Sequence, residues 1–371
     1  MSAHPLYTAD RLDRAAKAAA AAGLDALLVG PGADLRFLTG YDALPLERLT
    51  CLVLPASRDA FLVVPALERP AALASPAGDL GIEIVGWGES EDPYALIAAR
   101  LPHTVAAVAV DNHMWAEKAA AFREALPEAR QELAGQVLGA LRTRKVPAEV
   151  EALRRAGAAI DRVHSRMGEW LRAGRSEREV GRDIAAAILD EGHVRTDFVI
   201  VGSGPNSASP HHELSDRVVE HGDPVVVDIG GTTADGYCSD STRTYVVGEP
   251  SPEFLRLYEV LLAAQCAQTD AVRPGLTSGE LDAVGRDPIT AAGFGAHFIH
   301  RTGHGIGLDT HEEPYIVSGS PVVLEPGMAF SVEPGIYLEG KYGARIEDIV
   351  VCGEHGGERL NLTSRELRVL P

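Results

Sequence analysis

The chain has 371 residues, 46% of them hydrophobic and 23% charged, an ordinary globular composition but too much chain for one core, so two domains are expected. Its formal net charge of -19 repels nucleic acid and anionic membranes, and neither is an expected partner. The four cysteines, Cys51, Cys238, Cys266 and Cys352, form no CxxC pair, which reads as reduced thiols in a cytoplasmic protein.

The opening "MSAHPLYTADRLDR" has no apolar leader. No run of about 18 apolar residues is present to span a membrane. Thr8 is placed to cap an alanine-rich helix that stops at Gly23. "DALLVG", "TCLVLP", "AFLVVP", "IEIVGW" and "TVAAVAVD" read as buried strands with helical stretches between them. This is an α/β domain over residues 1–145. It has no glycine-rich phosphate loop and no cluster of histidine and acid, so its expected task is to shape and shield a site. Pro147 opens the next helix just past the boundary. Ser176 and Glu179 then stand in capping-box spacing. Strands and turns take over from about residue 197. Helices return at "PEFLRLYEVLLAAQCAQTDAV" and "TSGELDAVGRDPITAAG", and strands at "MAFSVEPGIYL" and "ARIEDIVV". A helix pair followed by strands thus occurs twice in residues 146–371, an α+β domain with two related halves.

The second domain carries the chemistry. "HRTGHGIGLDTHEEP", from His300 to Pro314, concentrates histidines and acids without an HExxH, so further ligands to any metal must come from elsewhere. Asp228 closes the apolar strand "VVVDIGG", where a carboxylate needs a cation, a donor or a proton. Asp240 shares a face with Thr242 and Thr244 by strand alternation, and a turn at Gly236 lets the two aspartates approach. Asp235 reads as turn chemistry. Glu333 and Glu347 each interrupt an apolar strand, with Arg345 on the Glu347 face to orient or balance that acid. Asp228, Asp240, His304, Glu333 and Glu347 form a hard-oxygen set with one imidazole, suited to Mn²⁺, Co²⁺ or Zn²⁺. Four carboxylates match two divalent ions in charge, and binuclear sites of this kind hold the metals about 3.5–4 Å apart.

Together "VVVDIGG", "SDSTRT", "RTGHGIGLDTHEEP", "FSVEPGIY" and "ARIEDIV" resemble, in order, the pita-bread metallopeptidases: Xaa-Pro dipeptidase (prolidase), aminopeptidase P, methionine aminopeptidase and the metal-free creatinase. The resemblance covers residues 147–371, and the upstream domain is similar to the creatinase-like N-terminal domain of prolidase and aminopeptidase P. It implies that Asp228 chelates one metal, that Asp240 and Glu347 bridge both, and that His304 and Glu333 complete the second. It implies a bridging hydroxide as nucleophile and Glu333 as proton shuttle. His211 would steady the tetrahedral intermediate, His300 and His311 would contact substrate, and Arg345 would back the bridging glutamate. Two departures stand out. The Asp228–Asp240 interval is one residue longer than the family's usual spacing, an insertion suited to the "GTTADG" turn. "PHH" replaces Pro-His-Gly, leaving His212 as the alternative to His211. His221, His297 and His355 read as structural or surface residues.

The implied activity is metal-dependent cleavage of Xaa-Pro dipeptides, with proline at P1′ and two Mn²⁺ ions, Co²⁺ or Zn²⁺ being the other candidates. The runner-up is aminopeptidase P activity on longer peptides. A non-peptide amidohydrolase and a non-catalytic pita-bread binding module are the remaining readings. The resemblance also implies a homodimer.

Overall fold

A computed structural model describes residues 6–57, 59–102 and 104–371. The leader expectation rests partly on residues 1–5, outside that range. The chain divides into two compact units, Met1–Arg142 and Thr143–Pro371. Among the described residues no helix is long and apolar enough to cross a membrane.

The first unit is built on a six-stranded mixed sheet of β1 (Ala26–Val29), β2 (Cys51–Pro55), β3 (Phe61–Pro65), β4 (Glu83–Trp87), β5 (Ala107–Val110) and β6 (Arg130–Leu133), in the order β4-β3-β2-β1-β5-β6. β1, β2 and β3 are buried at every position, as their unbroken apolar runs require when both faces are covered. Helices α1 (Ala9–Ala21), α2 (Ala33–Thr39), α3 (Arg69–Ala74), α4 (Pro93–Arg100), α5 (Ala116–Ala125) and α6 (Gly135–Thr143) accompany it. Thr8 occupies the N-cap of α1, but its hydroxyl caps no amide; its carbonyl instead accepts from Arg11 N–H. Leu28, Val53, Val63, Ile97 and Phe122 meet in one core. Truncating a fully buried ring such as Phe122 to alanine costs about 3–5 kcal/mol.

In the second unit, α7 (Pro147–Ser165) and α8 (Glu177–Asp190) precede β7 (His193–Ser203), β8 (Pro224–Thr233) and β9 (Cys238–Val247). Then α9 (Pro252–Ala271) and α10 (Ser278–Ala291) precede β10 (Gly303–Gly305), β11 (Glu312–Ile316), β12 (Ala329–Val332), β13 (Gly335–Leu338), β14 (Tyr342–Arg345), β15 (Asp348–Cys352), β16 (Gly357–Arg359) and β17 (Arg368–Leu370). The helix-pair-then-strands order is thus present twice. The capping box of α8 forms: Ser176 Oγ accepts from Glu179 N–H at 3.3 Å and Glu179 Oε2 accepts from Ser176 N–H at 2.9 Å. The strands make a sheet β17-β9-β8-β7, a sheet β11-β10-β12-β15-β16 and the hairpin β13-β14. Direct hydrogen bonds join the sheets where Glu347 N–H meets the Thr242 carbonyl at 3.1 Å and Arg345 N–H meets Thr244 Oγ1 at 3.1 Å.

Candidate metal centre

The two aspartates are brought together by the β8–β9 hairpin. Gly236, with φ +88, makes the turn a residue with a Cβ would strain. The register pairs Asp228 with Thr242 and Gly230 with Asp240, so the aspartates are diagonal neighbours on one face. Asp235 stays on the turn, paired with Arg155 at 2.5 Å.

β12 and β15 supply the glutamates. Val332 pairs with Asp348, so Glu333 and Glu347 lie just beyond that last pair, at adjoining strand ends. Thr302 carbonyl accepts from Glu333 N–H at 2.7 Å, and Glu333 Oε1 accepts from Ser331 Oγ at 2.9 Å. Thr242 Oγ1 donates to Glu347 Oε2 at 2.7 Å. His304 sits on β10, tight against β12: a Cβ on neighbouring Gly303 would stand 1.8 Å from the Ser331 carbonyl oxygen. His304 Nδ1 donates to the Gly305 carbonyl at 3.0 Å, which turns Nε2 toward the acids. That nitrogen faces Glu333 Oε1 at 3.2 Å and Asp240 Oδ2 at 3.6 Å. A neutral imidazole there sets acceptor against acceptor unless a metal cation lies between them; without one, a proton on Nε2 bridges the two groups.

Three sets of ligand atoms each lie within 4.8 Å of one another: Asp228, Asp240 and Glu347; His304, Glu333 and Glu347; and Asp240, His304 and His311. Glu347 belongs to the first two. Asp228 Oδ1 and Glu347 Oε1 are buried with no hydrogen-bond partner, each a penalty of about 1–3 kcal/mol or more for a charged group. Burial, then repulsion from the neighbouring acids, pushes the Asp240 and Glu347 carboxyls well above the carboxylate range. Asp228 is raised too, by burial against the pull of Arg345. Burial acts upward on Glu333 as well, but hydrogen bonding and charge from His304 outweigh it and hold that carboxyl at about 2. Hard oxygens, one imidazole and two partnerless buried oxygens fit divalent cations.

Residues 151–354 match the model of metallopeptidase family M24, and residues 11–143 match the creatinase/prolidase N-terminal domain. The chain belongs to metallopeptidase family M24. It is 51% identical over 363 residues to the probable dipeptidase PepE of Mycobacterium tuberculosis, covering 98% of this chain and 96% of that one. It is 40% identical over 362 residues to the Xaa-Pro dipeptidase of Lactobacillus delbrueckii subsp. lactis, covering 94% and 96%. The crystal structure of dipeptidase PepE from Mycobacterium ulcerans superposes with a TM-score of 0.93 at 52% identity, over 98% of each chain. The two-domain creatinase-like and pita-bread architecture expected from the motifs is thereby the fold of this M24 hydrolase.

The M24 centre opens into a cavity of about 740 Å³, with Phe198, Ile200 and Ile299 as its apolar wall. His211 and His311 line it, the His311 ring 3.8 Å from that of His304. His212 does not; its Nε2 lies 2.7 Å from Glu177. His300 reaches the cavity, but both its nitrogens are engaged: Nδ1 donates to the Arg301 carbonyl at 2.7 Å, and Nε2 accepts from Tyr337 Oη at 2.9 Å. A nitrogen contact from His300 to substrate therefore needs one of these bonds to break. The charge of Arg345 acts on Glu347, but its hydrogen bonds go elsewhere. Arg345 shares a strand face with Glu347, yet Nη2 donates to Asp228 Oδ2 at 2.6 Å, and Nε reaches Thr242 Oγ1 at 3.2 Å.

Sequence reasoning misses Ser331 and Tyr337. Ser331 stands two residues before Glu333 on the same strand face, a spacing that could have exposed it. Tyr337 Oη accepts from Arg345 Nη1 at 2.8 Å and is buried; its partners lie on other segments, and no local pattern announces them.

Proposed function

We propose that this M24 metallopeptidase hydrolyses Xaa-Pro dipeptides, holding proline at P1′, with two divalent cations bound by Asp228, Asp240, His304, Glu333 and Glu347, Asp240 and Glu347 serving both. The observation that carries this reading is the pair of buried, partnerless oxygens on Asp228 and Glu347, in a cluster where Glu347 is shared between two ligand sets. When bound, such ions polarise the scissile carbonyl and lower the pKa of a water.

The chain's own residues do the rest. Glu333 takes a proton from the attacking water and passes it to the leaving imide nitrogen. That transfer matters because proline's nitrogen carries no hydrogen. His211 and His311 donate to the oxygen on which charge develops. Arg345 orients Asp228 and favours its charged form. His300, bonded to Tyr337, lines the cavity where the substrate sits.

The L. delbrueckii relative's name, Xaa-Pro dipeptidase, supports the substrate class. Mn²⁺ is the proposed metal, since the ligands are mostly hard carboxylate oxygens. The proposed domain boundary lies at residues 145/146, and the proposed working form is a cytoplasmic homodimer acting on small peptides, with no nucleic acid or membrane partner. The test is turnover of Gly-Pro against Arg-Pro-Pro by protein reconstituted with Mn²⁺, Co²⁺ or Zn²⁺. Cleavage of Gly-Pro is expected; cleavage of the tripeptide alone overturns the dipeptidase reading.

A further inference from the structure

The histidine pair sits on the connection between β7 and β8. His211 lines the cavity, whereas His212 turns to Glu177. Glu177 is the first residue of α8 and its side chain is fully buried. Its Oε1 accepts from Ser203 N–H and Ser203 Oγ, both at 2.7 Å, and from Asn206 Nδ2 at 3.1 Å. Its Oε2 accepts from Ser215 Oγ at 2.5 Å, from Asn206 Nδ2 at 3.1 Å and from the His212 ring at 2.7 Å. Ser203 and Asn206 precede the tip of the connection; His212 and Ser215 follow it. One carboxylate therefore closes both stems, aided by the positive end of α8. The tip is tied separately, by Gly343 N–H donating to Ser207 Oγ at 2.8 Å, two residues from Arg345.

We propose that Glu177 and His212 are positioning residues that set where His211 meets the substrate oxygen. The second histidine of "PHH" is then a clamp on the loop. The inference rests on the role given to His211 above.

The experiment uses the metal-loaded full chain. His212→Ala is expected to lower kcat/KM for Gly-Pro by about 10- to 100-fold, mostly in kcat, as a misplaced catalytic group does. His212→Gln, whose amide can reach Glu177, restores most of it. In a His211→Ala background, His212→Ala causes no further loss, and in either background the amides of residues 206–209 and 211 exchange faster with solvent. Equal losses in both backgrounds, or unchanged exchange and unchanged rate, overturn the proposal. A fully active His211→Ala enzyme retracts the role of His211, and with it the proposal; faster exchange in His212→Ala then shows that the clamp held a loop without catalytic use.

Discussion

Arg345 holds Asp228 directly, through Nη2 at 2.6 Å, and reaches Glu347 by its charge and through the Thr242 hydroxyl. The Thr242 hydroxyl donates to Glu347 Oε2 at 2.7 Å and accepts from Arg345 Nε at 3.2 Å. A single oxygen thus orients the glutamate shared by two ligand sets.

Thr242→Val keeps the shape and removes that oxygen. Metal affinity is expected to fall by about 10- to 100-fold, the usual cost of losing a partner behind a metal ligand. Thr242→Ser is expected to bind as the parent does. Calorimetric titration of the chelated protein with Mn²⁺ measures both.

Chelation is expected to lower the melting temperature. Asp228 Oδ1 and Glu347 Oε1 have no protein partner, and a bound cation supplies one. At about 100 times its dissociation constant, each independently bound ion adds about 2.7 kcal/mol. Thermal scans with EDTA and with added Mn²⁺ check this; identical midpoints would argue against binding at these acids.

A separate prediction concerns His164 on α7. It is fully buried, its Nδ1 2.9 Å from Tyr245 Oη and its Nε2 3.1 Å from the Ser241 carbonyl. Burial, then the charge of Arg243, pushes its pKa down to about 3. Between that value and the ordinary value near 6.5, the unfolded chain binds a proton that the folded chain does not. Stability is therefore present above about pH 6.5 and declines on acidification, by about 1.4 kcal/mol per pH unit. From pH 7 to pH 5, denaturant unfolding should show the parent losing about 2 kcal/mol more than His164→Gln.

Tyr337→Phe leaves Arg345 Nη1 and His300 Nε2 without their shared partner in a buried site. The expected destabilisation is about 1–3 kcal/mol, with metal content unchanged. Chemical denaturation and elemental analysis measure the two quantities.

Much of this arrangement is legible in the sequence because strands alternate with period two. Acids interrupting apolar runs at Asp228, Asp240, Glu333 and Glu347 must point somewhere that tolerates charge, and all four do meet. The capping box at Ser176 is local and equally readable. Alternation tells which face a side chain occupies but not how far it reaches, so Arg345 reads as the partner of Glu347 when its length carries it to Asp228. His300 reads as a substrate contact because the motif gives its position and not its partners, Tyr337 and the Arg301 carbonyl. Glu177 is a helix-start acid like many others until the fold sets it against Ser203, Asn206, His212 and Ser215.

The most direct measurement is the number of metal equivalents needed to restore Gly-Pro hydrolysis to EDTA-treated protein. No hydrolysis without metal, rising to a plateau at two Mn²⁺ per chain, is the expected result. Hydrolysis that survives chelation, or that saturates at one equivalent, would contradict a paired centre shared through Asp240 and Glu347.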